Sequence, residues 1–334
     1  MEKKIAGGEM KQQSYTVKFL TPAFLGNADQ KGQWRTPPLK ALLRQWWRVA
    51  VAPEMNFNVD AIRQAEGRLF GVAADGGDSR KSRVRIRLGS WSEGTLTQVP
   101  EIGKVFIGKN QPPAALYSGF GPVDQGPKGQ GPRLKKGAAL QAGAATQLHI
   151  AFPKDEGLEQ AIALMSAYGT AGGRSRNGWG SFELNGELLK IQPFARDWKM
   201  AMDLDWPHAF GRDERGVLLW QSVPQARWED AMLLLAQARA GLRRAVPDRL
   251  MLAYPDTKAQ MPEWGRNERV PNSLRFKVCS EGRQFVAMIF HLPCRPADHL
   301  WQKLQPAKRQ GFIDCFAKAH VFLDQHEKFH RVKG

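Results

Sequence analysis

Residues 168–182 read YGTAGGRSRNGWGSF, and no other stretch of this 334-residue chain limits its fold as strongly. Gly169, Gly172, Gly173, Gly178 and Gly180 surround Arg174-Ser175-Arg176 and Asn177, with Trp179 between the last two glycines. Glycine at this density is unsuited to a helix or strand interior and permits positive φ and close backbone approach. The segment therefore reads as a loop, entered from an apolar-periodic helix at 158–168 and left through a strand at 181–184. Two readings of it stand. Its backbone N–H groups form an anion-binding concavity, to which Arg174 and Arg176 add charge and Trp179 a face for base stacking. Otherwise it is a glycine turn with solvated arginines. The spacing excludes a Walker A loop, which ends in Gly-Lys-Ser/Thr, and a GxGxxG turn after a strand.

Charge favours the first reading. Lys+Arg number 49 against 32 Asp+Glu, a formal net charge of +17, which suits a polyanionic partner such as nucleic acid. A generally basic surface is the alternative. The hydrophobic share of 42% is that of a globular protein, and the length suffices for two domains. No apolar run reaches the roughly 18 residues of a membrane span, and MEKKIAGGEMKQQS lacks a signal-peptide core. The expectation is a cytoplasmic protein without a membrane partner. Cys279, Cys294 and Cys315 are too widely spaced for a zinc site and read as reduced thiols.

Along the chain, residues 15–20 alternate as a strand. After Arg35, Thr36 is placed as an N-cap before Pro37 and Pro38, and Leu39, Leu42, Leu43, Trp46, Trp47 and Ala50 mark a helix over 37–50. Its other face carries Lys40, Arg44 and Arg48, with no carboxylate on the helix. Like charges four apart repel by a few tenths of a kcal/mol, about 0.2–0.5 per pair. Such a stripe is expected to face phosphates, or else to be a solvated face. A helix follows at 60–70, then a strand at 82–88 with Val84, Ile86 and Leu88 inward, and another strand is expected at 114–120. Residues 121–137, GPVDQGPKGQGPRLKKG, carry Lys128, Arg133, Lys135 and Lys136 and read as an exposed, flexible insertion that orders on binding. A strand at 146–152 precedes the helix and glycine loop.

This order is the βαββαβ pattern of ferredoxin-like and RNA-recognition domains. Residues 190–224, with Trp198, Trp206, His208 and Trp220, lack periodicity and read as a linker packed on a domain surface. A helix at 228–246, a hairpin over 274–291 and a helical region at 295–329 fit a second, more divergent unit. The expected fold is α+β: two tandem ferredoxin-like domains, 1–190 and 191–334.

Several of these segments carry a family likeness. TPAFLGNADQ (21–30), WRTPPLKALLRQWWR (34–48), RLFG (68–71), KSRVRI (81–86) and GTAGGRSRNGWGSFEL (169–184) resemble the RAMP superfamily of CRISPR-associated proteins. Within it the likeness is to the first subunit of type III-B (Cmr) RNA-guided effector complexes. PNSLRFKV (271–278) is a weaker echo. The resemblance implies an RNA-binding subunit at the head end of a ribonucleoprotein, near the 3′ end of the guide RNA, helping to capture target RNA in antiviral defence. Guide RNA, target RNA and other Cmr-type subunits are then its partners. Carried over residue by residue, Arg35, Lys40, Arg44, Arg48 and residues 172–179 are RNA-binding. The insertion has no family counterpart.

Catalysis is not expected. Metal-free RNA cleavage needs a general base and an acid. None of the seven histidines (His149, His208, His291, His299, His320, His326, His330) lies in the first forty residues or in the glycine loop. His326 and His330, expected on one terminal helix, do not form HExxH, and Asp29 stands alone. No catalytic residue, cofactor or metal is therefore assigned. A stand-alone RAMP endoribonuclease that processes guide precursors is the alternative.

Overall fold

A computed structural model describes residues 9–72, 79–135, 137–154, 156–185, 190–256 and 259–332. The first half runs β1 (Met10–Phe19), α1 (Thr36–Val51), α2 (Val59–Phe70), β2 (Arg85–Leu88), α3 (Ala114–Gly119), β3 (Val123–Asp124), β4 (Arg133–Leu134), β5 (Ala145–Pro153), α4 (Leu158–Tyr168) and β6 (Phe182–Leu184). The second runs β7 (Ala195–Asp197), α5 (Trp198–Ala201), β8 (Phe210–Asp213), β9 (Gly216–Val217), β10 (Leu219–Ser222), α6 (Trp228–Ala245), β11 (Leu274–Glu281), β12 (Gln284–His291), α7 (Asp298–Trp301), α8 (Pro306–Asp324) and β13 (Phe329–Arg331).

Two antiparallel four-stranded sheets dominate, in the orders β2-β5-β1-β6 and β11-β12-β10-β13. Counted within its own sheet, each order is second-third-first-fourth. Helices separate the first strand from the second and the third from the fourth in both. The molecule is a mixed α+β fold with several antiparallel sheets.

The pattern of side chains accounts for the packing. In β1 and β5, Val17, Phe19, Leu148, Ile150 and Phe152 alternate onto the buried face. Leu39, Leu43, Trp46 and Trp47 of α1 meet the buried side of α4, which includes Ala161, Ile162 and Met165. Each buried indole removes about 200 Å² from water, on the order of 5 kcal/mol before ordering entropy is charged. The core around β1 also takes in Phe210, Leu219 and Phe290, while that around α6 takes in Ile102, Val105 and Trp179. Apolar packing thus crosses residue 190 in both directions.

The sheets meet at their β6 and β11 edges. Lys277 of β11, 1% exposed, donates to the carbonyl oxygens of Ser166 (2.9 Å), Gly169 (2.8 Å) and Phe182 (2.7 Å). Burial pushes its pKa down to about 8, so at neutral pH it is an ammonium whose three N–H groups match three acceptors. It also places a cation at the C-terminal end of α4, where the helix dipole favours one. Val278 N–H donates to Ser181 Oγ at 2.9 Å, and Ser280 bonds Glu183.

Five local expectations are corrected. Residues 114–119 are helical: the Ala-Ala-Leu run has no strand alternation, Ala is the best helix former, and Pro113 precedes it at the N-cap. Thr36 lies inside α1, whose N-cap is Arg35 without a side-chain cap. Residues 190–224 are not a surface linker but hold β7 to β10. Trp198, Trp206, His208 and Trp220 are buried, and burial on all sides erases periodicity. In the 121–137 segment β3 and β4 pair as a hairpin, and Val123 is fully buried, so the segment has an apolar anchor. Finally, α8 stops at Asp324 and β13 follows, so His326 and His330 do not share a helix face.

Candidate nucleic-acid interface

The glycine loop is a hydrogen-bonded scaffold. Gly173 N–H donates to Phe24 O (2.9 Å), Ala171 N–H to Gly180 O (2.9 Å), Gly180 N–H to Pro22 O (2.8 Å) and Asn177 N–H to Arg174 O (2.9 Å). Thr21 Oγ1 donates to Gly178 O at 2.8 Å and accepts from Ser181 N–H at 3.0 Å. Gly172 sits at φ +98°, where a Cβ would come within 2.8 Å of Phe24 O; no other residue type fits. Most of the loop's N–H groups are therefore used internally. What it presents outward are side chains, Arg174 among them, itself held at φ +56°.

Those side chains open onto a cleft of about 770 Å³ between the loop, α1, α6 and the residues leading into β11. Arg174, Arg176, Arg239, Arg243, Arg269 and Arg275 line it, and Asp256 is the one carboxylate among its lining residues. Asp256 is taken by Arg243 and by Arg249, the latter at 3.0 Å. Arg239 lies 5.0 Å from the Tyr117 ring centre, a cation–π contact. Arg174 rests against Gly121, where a Cβ would approach its guanidinium to 3.3 Å. Burial pushes the guanidiniums of Arg174, Arg176 and Arg239 below their ordinary pKa. They nevertheless stay charged at neutral pH. Leu42, Trp46, Tyr168 and Phe120 supply apolar wall, and Phe120 is 49% exposed.

The sequence-derived candidates divide. Gly172, Arg174, Ser175, Arg176 and Asn177 line the cleft, whereas Gly173, Gly178 and Trp179 lie behind it as scaffold. Trp179 is 0% exposed, its Nε1 donates to Ser118 Oγ at 3.1 Å and its ring packs on Phe24 at 5.0 Å. It has no free face for a base. Arg35 bonds Gly26 O, away from the cleft lining. Arg44 and Arg48 both pair with Glu66 of α2, a buried carboxylate, and Lys40 donates to Ser82 Oγ at 2.7 Å. The stripe thus has protein partners, brought by the fold rather than by its own helix. Lys128 and Lys135 are exposed on the hairpin, Arg133 pairs with Asp124 at 3.0 Å, and Lys136 lies outside the described residues.

Sequence reasoning missed Arg239, Arg243, Arg269, Arg275 and Phe120. Arg239 and Arg243 repeat at four residues along α6, the same signal that singled out the α1 stripe. Arg275 lies inside the PNSLRFKV echo.

The RAMP superfamily model matches residues 16–183, half of the chain. No curated protein sequence matches. The chain is similar to the apo crystal structure of Cmr1 from Pyrococcus furiosus, at 13% identity and TM-score 0.47 over 86% of this chain and 90% of that one. It is also similar to a chain of the Type III-B Cmr-beta structure bound to cognate target RNA. There the identity is 10% and the TM-score 0.50, over 93% of this chain and all of that one.

Proposed function

The chain belongs to the RAMP superfamily, and from that premise we propose that it is a non-catalytic RNA-binding subunit of a type III-B CRISPR ribonucleoprotein. The observation that carries this reading is the cleft itself: six arginines around one carboxylate that is already paired. Such an excess of fixed positive charge in a concave site binds a polyanion, and Phe120 offers a stacking face beside it. The two sheets are read as tandem ferredoxin-like units of about 1–190 and 191–334, with the cleft between them. The fold it shares with a chain of a Type III-B structure that holds target RNA supports guide and target RNA, and other Cmr-type subunits, as its partners. A head-end position near the guide 3′ end and a cytoplasmic location complete the proposal. No helix among the described residues is long and apolar enough to cross a membrane.

The non-catalytic part rests on the chemistry of the lining. No histidine lies in the cleft, burial raises the Tyr168 phenol far above its ordinary pKa, and Asp256 is tied to two arginines. None of these is poised to take a proton from a ribose hydroxyl at neutral pH. The test is a salt titration of single-stranded RNA binding by the full chain. Neutralising four or five phosphates gives a slope of log affinity on log salt of roughly −3. Absence of salt-dependent binding overturns the reading. A unique metal-free cut in repeat-containing RNA would replace it with the endoribonuclease.

A further inference from the structure

Within the cleft, Arg176 and Arg275 stand close enough to repel each other. Arg275, on β11, has its Nε buried with no hydrogen-bond acceptor among the described residues. Arg176, on the glycine loop, has neither a hydrogen bond nor a carboxylate for its guanidinium among the described residues. The two repel: burial first, then Arg176, push the Arg275 pKa down to about 9, and it stays charged at neutral pH. Cys294, near both, offers no countercharge, because burial pushes its thiol up to about 11, and His291, near Arg275, is held neutral by burial and by His320. Lys277, two residues along the same strand, shows what a satisfied cation looks like here, with all three N–H groups matched.

A pair of adjacent, partly buried like charges with an orphan N–H costs stability unless an anion completes it. We propose that Arg176 and Arg275 form a seat for one phosphate group, approached from the cleft. The inference rests on the RNA-binding reading above and adds to it a specific subsite built from both halves of the chain. A tetrahedral phosphate presents several oxygens at once and so can accept from both guanidinium forks, Arg275 Nε included. The phosphate is either an internal phosphodiester of a bent strand or a terminal monoester. An acidic protein segment is the rival occupant, and four further arginines on the same cleft favour RNA over it.

The seat makes a double prediction that a structural arginine does not. Arg275→Met should leave the melting temperature of the full chain unchanged or raised, because a buried unpaired charge is removed. The same substitution should weaken single-stranded RNA binding about 10- to 100-fold, the loss expected for a charge-assisted contact. Inorganic phosphate alone should raise the melting temperature of the wild type and not that of Arg275→Met. Arg176→Gln, on the loop, should give the same loss of affinity and serves if Arg275→Met does not fold. Oligoribonucleotides with and without a terminal phosphate separate the two sources: a gain confined to the phosphorylated end assigns the monoester, equal binding the phosphodiester. If the wild type binds RNA and neither substitution weakens it, the seat is wrong and the cleft reading stands. A lowered melting temperature with unchanged RNA affinity makes Arg275 structural. Displacement by a poly-glutamate peptide, without response to phosphate, assigns the rival. If the wild type binds no RNA, both fall.

Discussion

The arginines of α1 and the arginines of the cleft carry the same charge and meet opposite surroundings. Arg44 and Arg48 converge on Glu66, which is 2% exposed, and the Arg48 guanidinium lies 4.8 Å from the Trp206 ring centre. Burial raises the Glu66 carboxyl, but Arg48 and Arg44 outweigh it and hold the group below its ordinary pKa. Around the six cleft arginines, in contrast, the one lining carboxylate is Asp256, which pairs with Arg243 and with Arg249 outside the lining. One carboxylate from a neighbouring helix converts a basic stripe into an internal strut. Where no such carboxylate is supplied, the proposed function leaves the charge for a ligand. Availability is therefore a property of the partner, not of the arginine.

The largest expected effect tests the strut. Glu66→Gln removes the carboxylate that two guanidiniums share, and chemical denaturation should show a loss of about 2–3 kcal/mol, less than a fully buried ion cluster would lose because the Arg44 and Arg48 side chains are 42% and 27% exposed. A near-neutral result, or a marked gain in RNA affinity, would mean that the stripe is available to phosphates after all.

Next comes the direct contrast in binding. Arg174→Ala with Arg239→Ala should reduce RNA affinity about 10- to 100-fold and flatten the salt slope, with stability lowered by about 1 kcal/mol through loss of the Arg239–Tyr117 contact. Replacing the whole strut by apolar residues (R44L, R48L, E66M) should leave affinity within about threefold, since the triad is exchanged as a unit. Equal losses from both sets in a binding titration would erase the distinction.

A pH series sharpens it, because acid acts on stability through the buried histidines and leaves both arginine groups charged. Burial pushes His208 down to about 4 and His320 to about 3, and burial together with His320 holds His291 well below its ordinary value. The unfolded chain takes up protons near pH 6.5, where the folded chain does not. Stability is thus complete above about pH 6.5 and falls as pH drops toward 4, by about 1.4 kcal/mol per unit for each such histidine. Melting curves between pH 7 and 4.5 measure this fall. RNA affinity measured in the still-folded range should not follow it.

The smallest effect belongs to the hairpin. Lys128→Ala with Lys135→Ala removes exposed rim charge and should weaken RNA binding no more than about threefold, with no change in melting temperature. A larger loss would extend the interface onto the hairpin.

Periodic segments were legible in the sequence, and segments buried on all sides were not. The helices at 36–51, 59–70, 158–168 and 228–245 declare themselves because one face is wet and the other dry, while the hairpin over 274–291, whose second strand is buried from Val286 to His291, is the exception and is marked by its polar turn at 280–283. β10 and β13 do not: β10 is a central strand that reads as an aperiodic, tryptophan-rich stretch, and β13 is three residues long. The site was half visible. Arg174 and Arg176 stood out because glycines frame them, but only the four-residue spacing of Arg239 and Arg243 on α6 is a local signal, and tertiary packing is what gathers these two with Arg269 and Arg275. Trp179 illustrates the reverse error. An indole beside arginines suggests a stacking face, yet α3 and Phe24 cover it, and no sequence rule reports which side of a loop faces inward.

The Lys277 clasp has a mechanical consequence. On β11, positions 275 and 277 project to the same side of the strand, so one face carries both the cation that grips the base of the glycine loop and the arginine that lines the cleft. The strand acts as a gauge block: by holding Gly169 at a fixed offset, it sets the gap between Arg176 and Arg275 before any ligand arrives. Under the proposed function, a strand of RNA meets a caliper already closed to size, and little further ordering of the protein is required to bind it. Lys277→Met should accordingly slow no folding step in particular but widen the jaw, and its signature is a faster release of RNA rather than a slower capture.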